Sequence, residues 1–120
     1  MGYRFTSLHE LGEGFGFRKI REALGITAFG ANAIVFAPGV VGRAHSHAEQ
    51  DELYFVHRGT IRFEVGGETR DVGPGGLVHV ASTTPRRLSN TTDEEAVVLV
   101  VGAKGGYVGR DGRPADEAEL

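Results

Sequence analysis

Thr60 to Val65 alternates strictly, with Ile61, Phe63 and Val65 apolar on one side and Arg62 and Glu64 polar on the other. A period of two marks a strand with one buried face. Gly66-Gly67 follows as a two-residue hairpin signal, so Glu68 to Val72 is predicted to return antiparallel. Asn32 to Ala37, Glu52 to Val56, Leu77 to Ala81 and Arg86 to Asn90 are also short and strand-like. They are bounded by Pro38-Gly39, Gly59, Gly73-Pro74-Gly75 and the polar run Thr91 to Glu95. Ala96 to Val101 is apolar at every position, as a central strand covered on both faces would be. A helical period occurs at Arg18 to Leu24, where Ile20 and Leu24 share a face and Gly25 is placed to end the turn.

Seven or eight short strands joined by tight turns predict an all-β domain, a sandwich or barrel of the jelly-roll class, preceded by a short helical turn. Glycine supports this: its 19 residues are scattered between the alternating segments, where turns are needed, and not gathered into a linker. At 120 residues the chain has the size of one domain. The expected divisions are an N-terminal extension with the helix (1–28), the barrel (29–104) and a polar tail (105–120). The tail has little to bury and is expected to lie on the surface or be disordered.

Charge and composition narrow the function classes. A net charge of −3 without a basic stripe argues against nucleic acid and anionic membrane surfaces as partners. There are no cysteines, which excludes disulfides and thiol chemistry. No apolar run reaches membrane-spanning or signal-peptide length, so a cytoplasmic protein is the expectation.

The candidate chemistry lies between residues 45 and 57, which hold three of the five histidines. His45 and His47 are two apart, and on an extended segment that spacing puts both imidazoles on one face. Glu52 opens the next strand and can return a carboxylate to the same point. Two imidazoles and one carboxylate on strands leave coordination positions open, which suits a catalytic metal better than a structural one. The plainer alternative is that all three are solvated polar residues.

The run Gly39-x5-His45-x-His47-x4-Glu52-x6-Gly59 matches each spacing of the first conserved motif of the cupin superfamily, and the chain resembles that family over about Ala33 to Val101. The resemblance implies a small jelly-roll β-barrel in which His45, His47 and Glu52 bind a divalent transition metal (Fe, Mn, Ni or Zn). The family's second motif usually adds a histidine as fourth ligand, and two registers are open. One begins at Pro74 and supplies His79, but it leaves too little chain after Gly59 for two strands. The other begins at Gly75, keeps Asn90 at its spacing and puts Arg86 in the ligand position.

Arginine does not deprotonate in a protein and cannot ligate a metal. About 5 Å from a dication it would be repelled by roughly 6–7 kcal/mol at an effective dielectric near 20. Arg86 is therefore expected to turn to the barrel mouth, to bind an anionic substrate group there, or to pair with Glu52 or Asp51. His79 either lines the pocket or faces outward, and His57 is out of phase with Glu52. Gln50 and Asp51 are candidates to support the ligands. The expected function is a metal-dependent enzyme of oxygenase, isomerase or lyase type on a small anionic substrate. The alternative is a non-catalytic ligand-binding barrel, with or without metal. Resemblance to the family also suggests a homodimer.

Overall fold

The computed structural model describes residues 2–120. Ten strands form two five-stranded antiparallel sheets that face each other as a jelly roll. They are β1 (Gly16–Arg18), β2 (Gly30–Phe36), β3 (His45–His47), β4 (Asp51–Arg58), β5 (Ile61–Val65), β6 (Glu68–Val72), β7 (Leu77–Val80), β8 (Arg86–Ser89), β9 (Ala96–Ala103) and β10 (Gly112–Pro114). One sheet runs β1-β2-β9-β4-β7 and the other β10-β3-β8-β5-β6. The helix α1 (Ile20–Leu24) is a single short turn, ended by Gly25 in the left-handed conformation.

The alternation read from the sequence becomes the division between core and surface. Ile61 and Phe63 turn inward from β5 and meet Tyr54 and Val56 of β4, Val98 and Val100 of β9, and Leu88 of β8. Strand β9 sits in the middle of its sheet, between β2 and β4, as its apolar run predicts. The β5–β6 hairpin turns at Gly66-Gly67 with both residues at positive φ, the conformation of a type I′ turn. Among the described residues no helix is long and apolar enough to cross a membrane.

The two flanking segments each add a strand to a barrel expected to span 29–104. Gly16–Arg18 pairs with Ala33–Val35, and Gly112–Pro114 pairs with His45–His47. The tail does lie on the surface for most of its length, but it is not idle there. Gly67 N–H bonds the carbonyl of Leu120, and Arg87 bridges Glu64 to Glu117. Asp111 enters the interior altogether.

Candidate metal centre

His45 and His47 occupy β3, and Glu52 stands second in β4. One potential donor atom from each lies within 4.8 Å of the other two. The period of two on β3 brings the imidazoles side by side, with ring centroids 5.4 Å apart and planes nearly perpendicular. Between β3 and β4 the chain turns through 48–50. Asp111 holds this turn by accepting the backbone N–H of Glu49 and Gln50 at 2.8–3.1 Å.

Each imidazole presents a defined edge. His45 Nδ1 lies 3.2 Å from the carbonyl of Arg43. A carbonyl only accepts, so Nδ1 carries the proton and Nε2 keeps its lone pair free. Burial is the first cause that lowers the His45 pKa, and the charge of Arg86 adds to it, against the Arg43 carbonyl. The neutral ring favoured in this way is the form that binds metal. His47 is caught between two carboxylates, with Nε2 3.2 Å from Glu52 Oε1 and Nδ1 3.4 Å from Asp111 Oδ2. Nδ1 is buried and makes no hydrogen bond.

Glu52 is the hub of the site. Burial works to raise its pKa, but hydrogen bonds from His47 and Tyr54 and the charges of His47 and Arg86 outweigh that and hold it below its ordinary value. All of these contacts fall on Oε1, which takes the Tyr54 hydroxyl and, at 3.1 Å, Arg86 Nη2. Burial and the Glu52 charge push the Tyr54 pKa upward, so its O–H stays a donor.

Beside Glu52 stands Gly102, where an added Cβ would come within 3.3 Å of Glu52 Cγ and 3.7 Å of Oε2. Glycine here keeps space open next to the carboxylate oxygen that has no protein partner. The residues therefore fit a divalent cation. They offer a neutral imidazole edge at His45, a second imidazole at His47 within 3.2 Å of Glu52, and an uncommitted Oε2 with room beside it.

Arg86, expected from the motif resemblance to stand where a fourth ligand would, lies opposite His45 in the β3–β8 register. Its side chain is 0% exposed. Nε donates to Tyr54 Oη at 3.3 Å, Nη1 to the carbonyls of Ser82 and Thr84 at 3.0 and 2.8 Å, and Nη2 to Glu52. Of the roles open to it, the structure displays the ion pair with Glu52. Its N–H groups are spent almost entirely on the protein, so it does not stand at the rim as an anion clamp.

His79 faces outward between the inward-turned Val78 and Val80, outside the His45–His47–Glu52 group. His57 is exposed and away from the cluster. Gln50 is buried and accepts Val108 N–H through Oε1 at 3.0 Å, while Asp51 accepts Ser82 N–H at 2.9 Å. Both brace the turn that carries the ligands. Asp111 is the site residue that sequence reasoning missed. Only its place in the run Gly109-Arg110-Asp111-Gly112, a tight turn around one carboxylate, hinted at it.

The cupin domain family matches residues 33–102, more than half of the chain. No curated protein matches the chain in sequence. Among solved structures it is similar to a cupin protein from Bacteroides fragilis, 19% identical with a TM-score of 0.75, over 87% of this chain and 86% of that one. A sugar phosphate isomerase from a cupin superfamily, from Silicibacter pomeroyi, is 25% identical with a TM-score of 0.71, over 83% of this chain and 64% of that one. A cupin 2 conserved barrel domain protein from Salinispora arenicola is 21% identical with a TM-score of 0.70, over 82% and 87%.

Proposed function

The chain belongs to the cupin family, and on that premise we propose that it is a metal-dependent enzyme acting on a small anionic substrate. His45, His47 and Glu52 would hold one divalent transition metal, His45 through the Nε2 edge that its contact with the Arg43 carbonyl leaves free. The observation that carries this reading is the convergence of the three donors within 4.8 Å, with Oε2 left free and Gly102 keeping space beside it. Such a metal supplies a Lewis acid with open positions, the property shared by oxygenase, isomerase and lyase chemistry in this fold. The protein's own part is to aim the ligands. The Arg43 carbonyl sets the His45 tautomer, the Asp111 carboxylate lies 3.4 Å from the far edge of His47, and Tyr54 and Arg86 occupy Oε1, which would leave Oε2 for a metal. The similar sugar phosphate isomerase lends support to isomerase chemistry in particular.

A second reading rests on the buried Arg86–Glu52 pair. In a metal-free barrel the guanidinium would serve as the cation that Glu52 needs, and the protein would bind a small ligand without catalysis. Elemental analysis of protein purified without a metal-affinity tag, then reconstituted in turn with Fe(II), Mn(II), Ni(II) and Zn(II), separates the two. The enzyme reading expects about one equivalent per chain, lost in His47→Ala. Uptake of less than about a tenth of an equivalent from every metal leaves the metal-free barrel.

The homodimer suggested by the sequence has support in the outer face of the β4-containing sheet. Leu53 lies beside Val101, and Phe55 lies between Leu77 and Leu99, with Leu77 66% exposed. On the N-terminal arm Phe5 is 91% exposed and packs edge-on against Tyr3. One chain carries both an uncovered apolar sheet face and an uncovered aromatic arm. A two-fold pairing of copies buries each of them twice. Stable dimers bury about 800 Å² per partner, more than such an arm alone could cover, so the sheet face forms the main contact.

A further inference from the structure

A cavity of about 360 Å³ opens beside His47 and Glu52, walled by the start of α1, the inner face of β2 and the segment 107–112. Its polar groups divide into those already engaged and those left free. Arg21 is engaged, with its guanidinium stacked 3.9 Å from the Tyr107 ring centre and Nη1 donating to the Ile26 carbonyl. Asp111 is engaged by two backbone N–H groups, and Glu52 by Arg86. Lys19 and Arg110 line the same cavity, and neither has a carboxylate within ion-pairing distance among the described residues. Glu22 is the one uncommitted acid in the lining, so free cations outnumber free acids two to one.

Arg110 is held at φ 54, the one described non-glycine residue at positive φ. A side chain in that conformation costs roughly 1–2 kcal/mol, which a glycine would avoid. Its carbonyl is fastened by Arg113 Nη1 at 2.8 Å, and the next residue, Asp111, is locked into the 48–50 turn. The backbone thus bears a strained arginine at the cavity wall. Two carboxamides lie deeper. Gln50 is 6% exposed and spends Oε1 on Val108, which leaves its NH2 group as a donor. Asn32, on the inner face of β2 opposite Val100, has no side-chain bond to the described residues and is not sealed from the cavity.

We propose that this cavity binds a small organic anion with a hydroxylated stem. Lys19 and Arg110 take the anionic head, and the carboxamides of Asn32 and Gln50 take stem hydroxyls. A carboxamide both donates and accepts, as a hydroxyl does, and a cation pair discriminates for charge. The proposal rests on the metal reading above, since the cavity ends on His47 and Glu52, and it names the substrate class of that centre. Carboxylate and phosphate heads share this chemistry.

Amide chemical-shift titrations with glycerate, glycerol 3-phosphate and glycerol test it, because shifts register millimolar binding. The same samples are titrated separately with Zn(II). Wild-type protein is expected to bind one or both anions, with shifts at the cavity residues, and to ignore glycerol. The K19A/R110A double variant, which alters surface side chains only, should bind the anion about tenfold or more weakly while keeping its Zn(II) affinity. Asn32→Ala should weaken the hydroxylated anion but not inorganic phosphate. Normal Zn(II) uptake with no anion binding, with equal binding of glycerol, or with an unaffected double variant overturns the proposal and leaves the metal centre standing. Anion binding that the double variant loses, in a protein that takes up no Zn(II), keeps the anion site and overturns the metal.

Discussion

Arg86 decides how the centre behaves. A fully buried guanidinium that donates to Glu52, Tyr54 and two carbonyls is costly to delete, because the carboxylate beside it is left without its counter-charge. Arg86→Ala is expected to cost about 3 kcal/mol in urea unfolding of the metal-free protein and less in the metal-loaded protein, where a dication takes over the compensation of Glu52. Arg86→His should tighten Zn(II) binding by supplying a third imidazole as a fourth ligand, and unchanged affinity would show that a side chain at position 86 does not reach the metal. Removing the Asp111 carboxylate with Asp111→Asn should weaken metal binding about tenfold or more, measured by chelator competition.

Acid should destabilise the metal-free protein in two stages. The folded state holds His45 below its ordinary pKa, first through burial, so stability falls as pH drops below about 6.5 and the unfolded chain takes up a proton that the folded one resists. Glu52 and Asp111 are also held below their ordinary values. Their contribution is present above about pH 4 and is lost as pH falls through the lower folded values. Unfolding midpoints across pH should flatten in the upper range for His45→Gln and in the lower range for Asp111→Asn. A single transition unchanged by either substitution would contradict the assignment. The side-by-side placement of His45 and His47 was legible from their spacing on one strand, whereas the ligand positions at Glu52 and Arg86 were singled out by the resemblance to the cupin motifs. Asp111 was not, since its contact with Glu49 spans 62 positions and no local period reports such a distance.

Strands long enough to show a period were legible in the same way. The seven strand segments predicted from alternation, apolar runs and turn signals correspond to β2 and β4 to β9. The three-residue strands β1 and β10 were missed as strands, since three residues cannot display alternation, and tertiary pairing alone makes them extended. Turns were readable through glycine, but the sequence did not say how much each glycine matters. Gly39 and Gly59, the two ends of the histidine motif, both have positive φ, at 75 and 70. Around Gly39 nothing lies within 4 Å of an added Cβ, whereas at Gly59 it would meet the Glu95 carbonyl at 2.5 Å and Ala96 Cα at 2.8 Å. Gly39→Ala is therefore expected to cost roughly 1–2 kcal/mol in chemical denaturation, the conformational term alone. Gly59→Ala should cost clearly more, because backbone must also move. Equal costs would mean that the loop before Ala96 gives way freely.

As a whole molecule, the chain joins a closed apolar interior to an outer sheet face that nothing in one copy covers. The phase along β4 was readable and that along β7 was left open, and the residues facing out include Leu53, Phe55 and Leu77 where a solvated sheet would carry polar groups. Light scattering is expected to report a dimer for the wild type and a folded monomer for L53E/L77E. A monomeric wild type would remove the partner assigned to this face. Strand number and turn spacing pointed to a sandwich or barrel, and the resemblance to the cupin motif narrowed this to a jelly roll. The uncovered face could not be inferred, because pattern alone does not tell a strand buried in its own domain from one buried against another copy.

In the proposed centre His45, His47 and Glu52 ligate one metal while Arg86 stays outside the coordination sphere. Anomalous diffraction from crystals of Zn(II)-reconstituted protein, collected on both sides of the zinc edge, tests it most directly. One peak per chain is expected, bonded to His45, His47 and Glu52, with Arg86 still donating to Glu52 Oε1. No peak at these residues in reconstituted crystals, with Arg86 and His47 closed on Glu52, would contradict it.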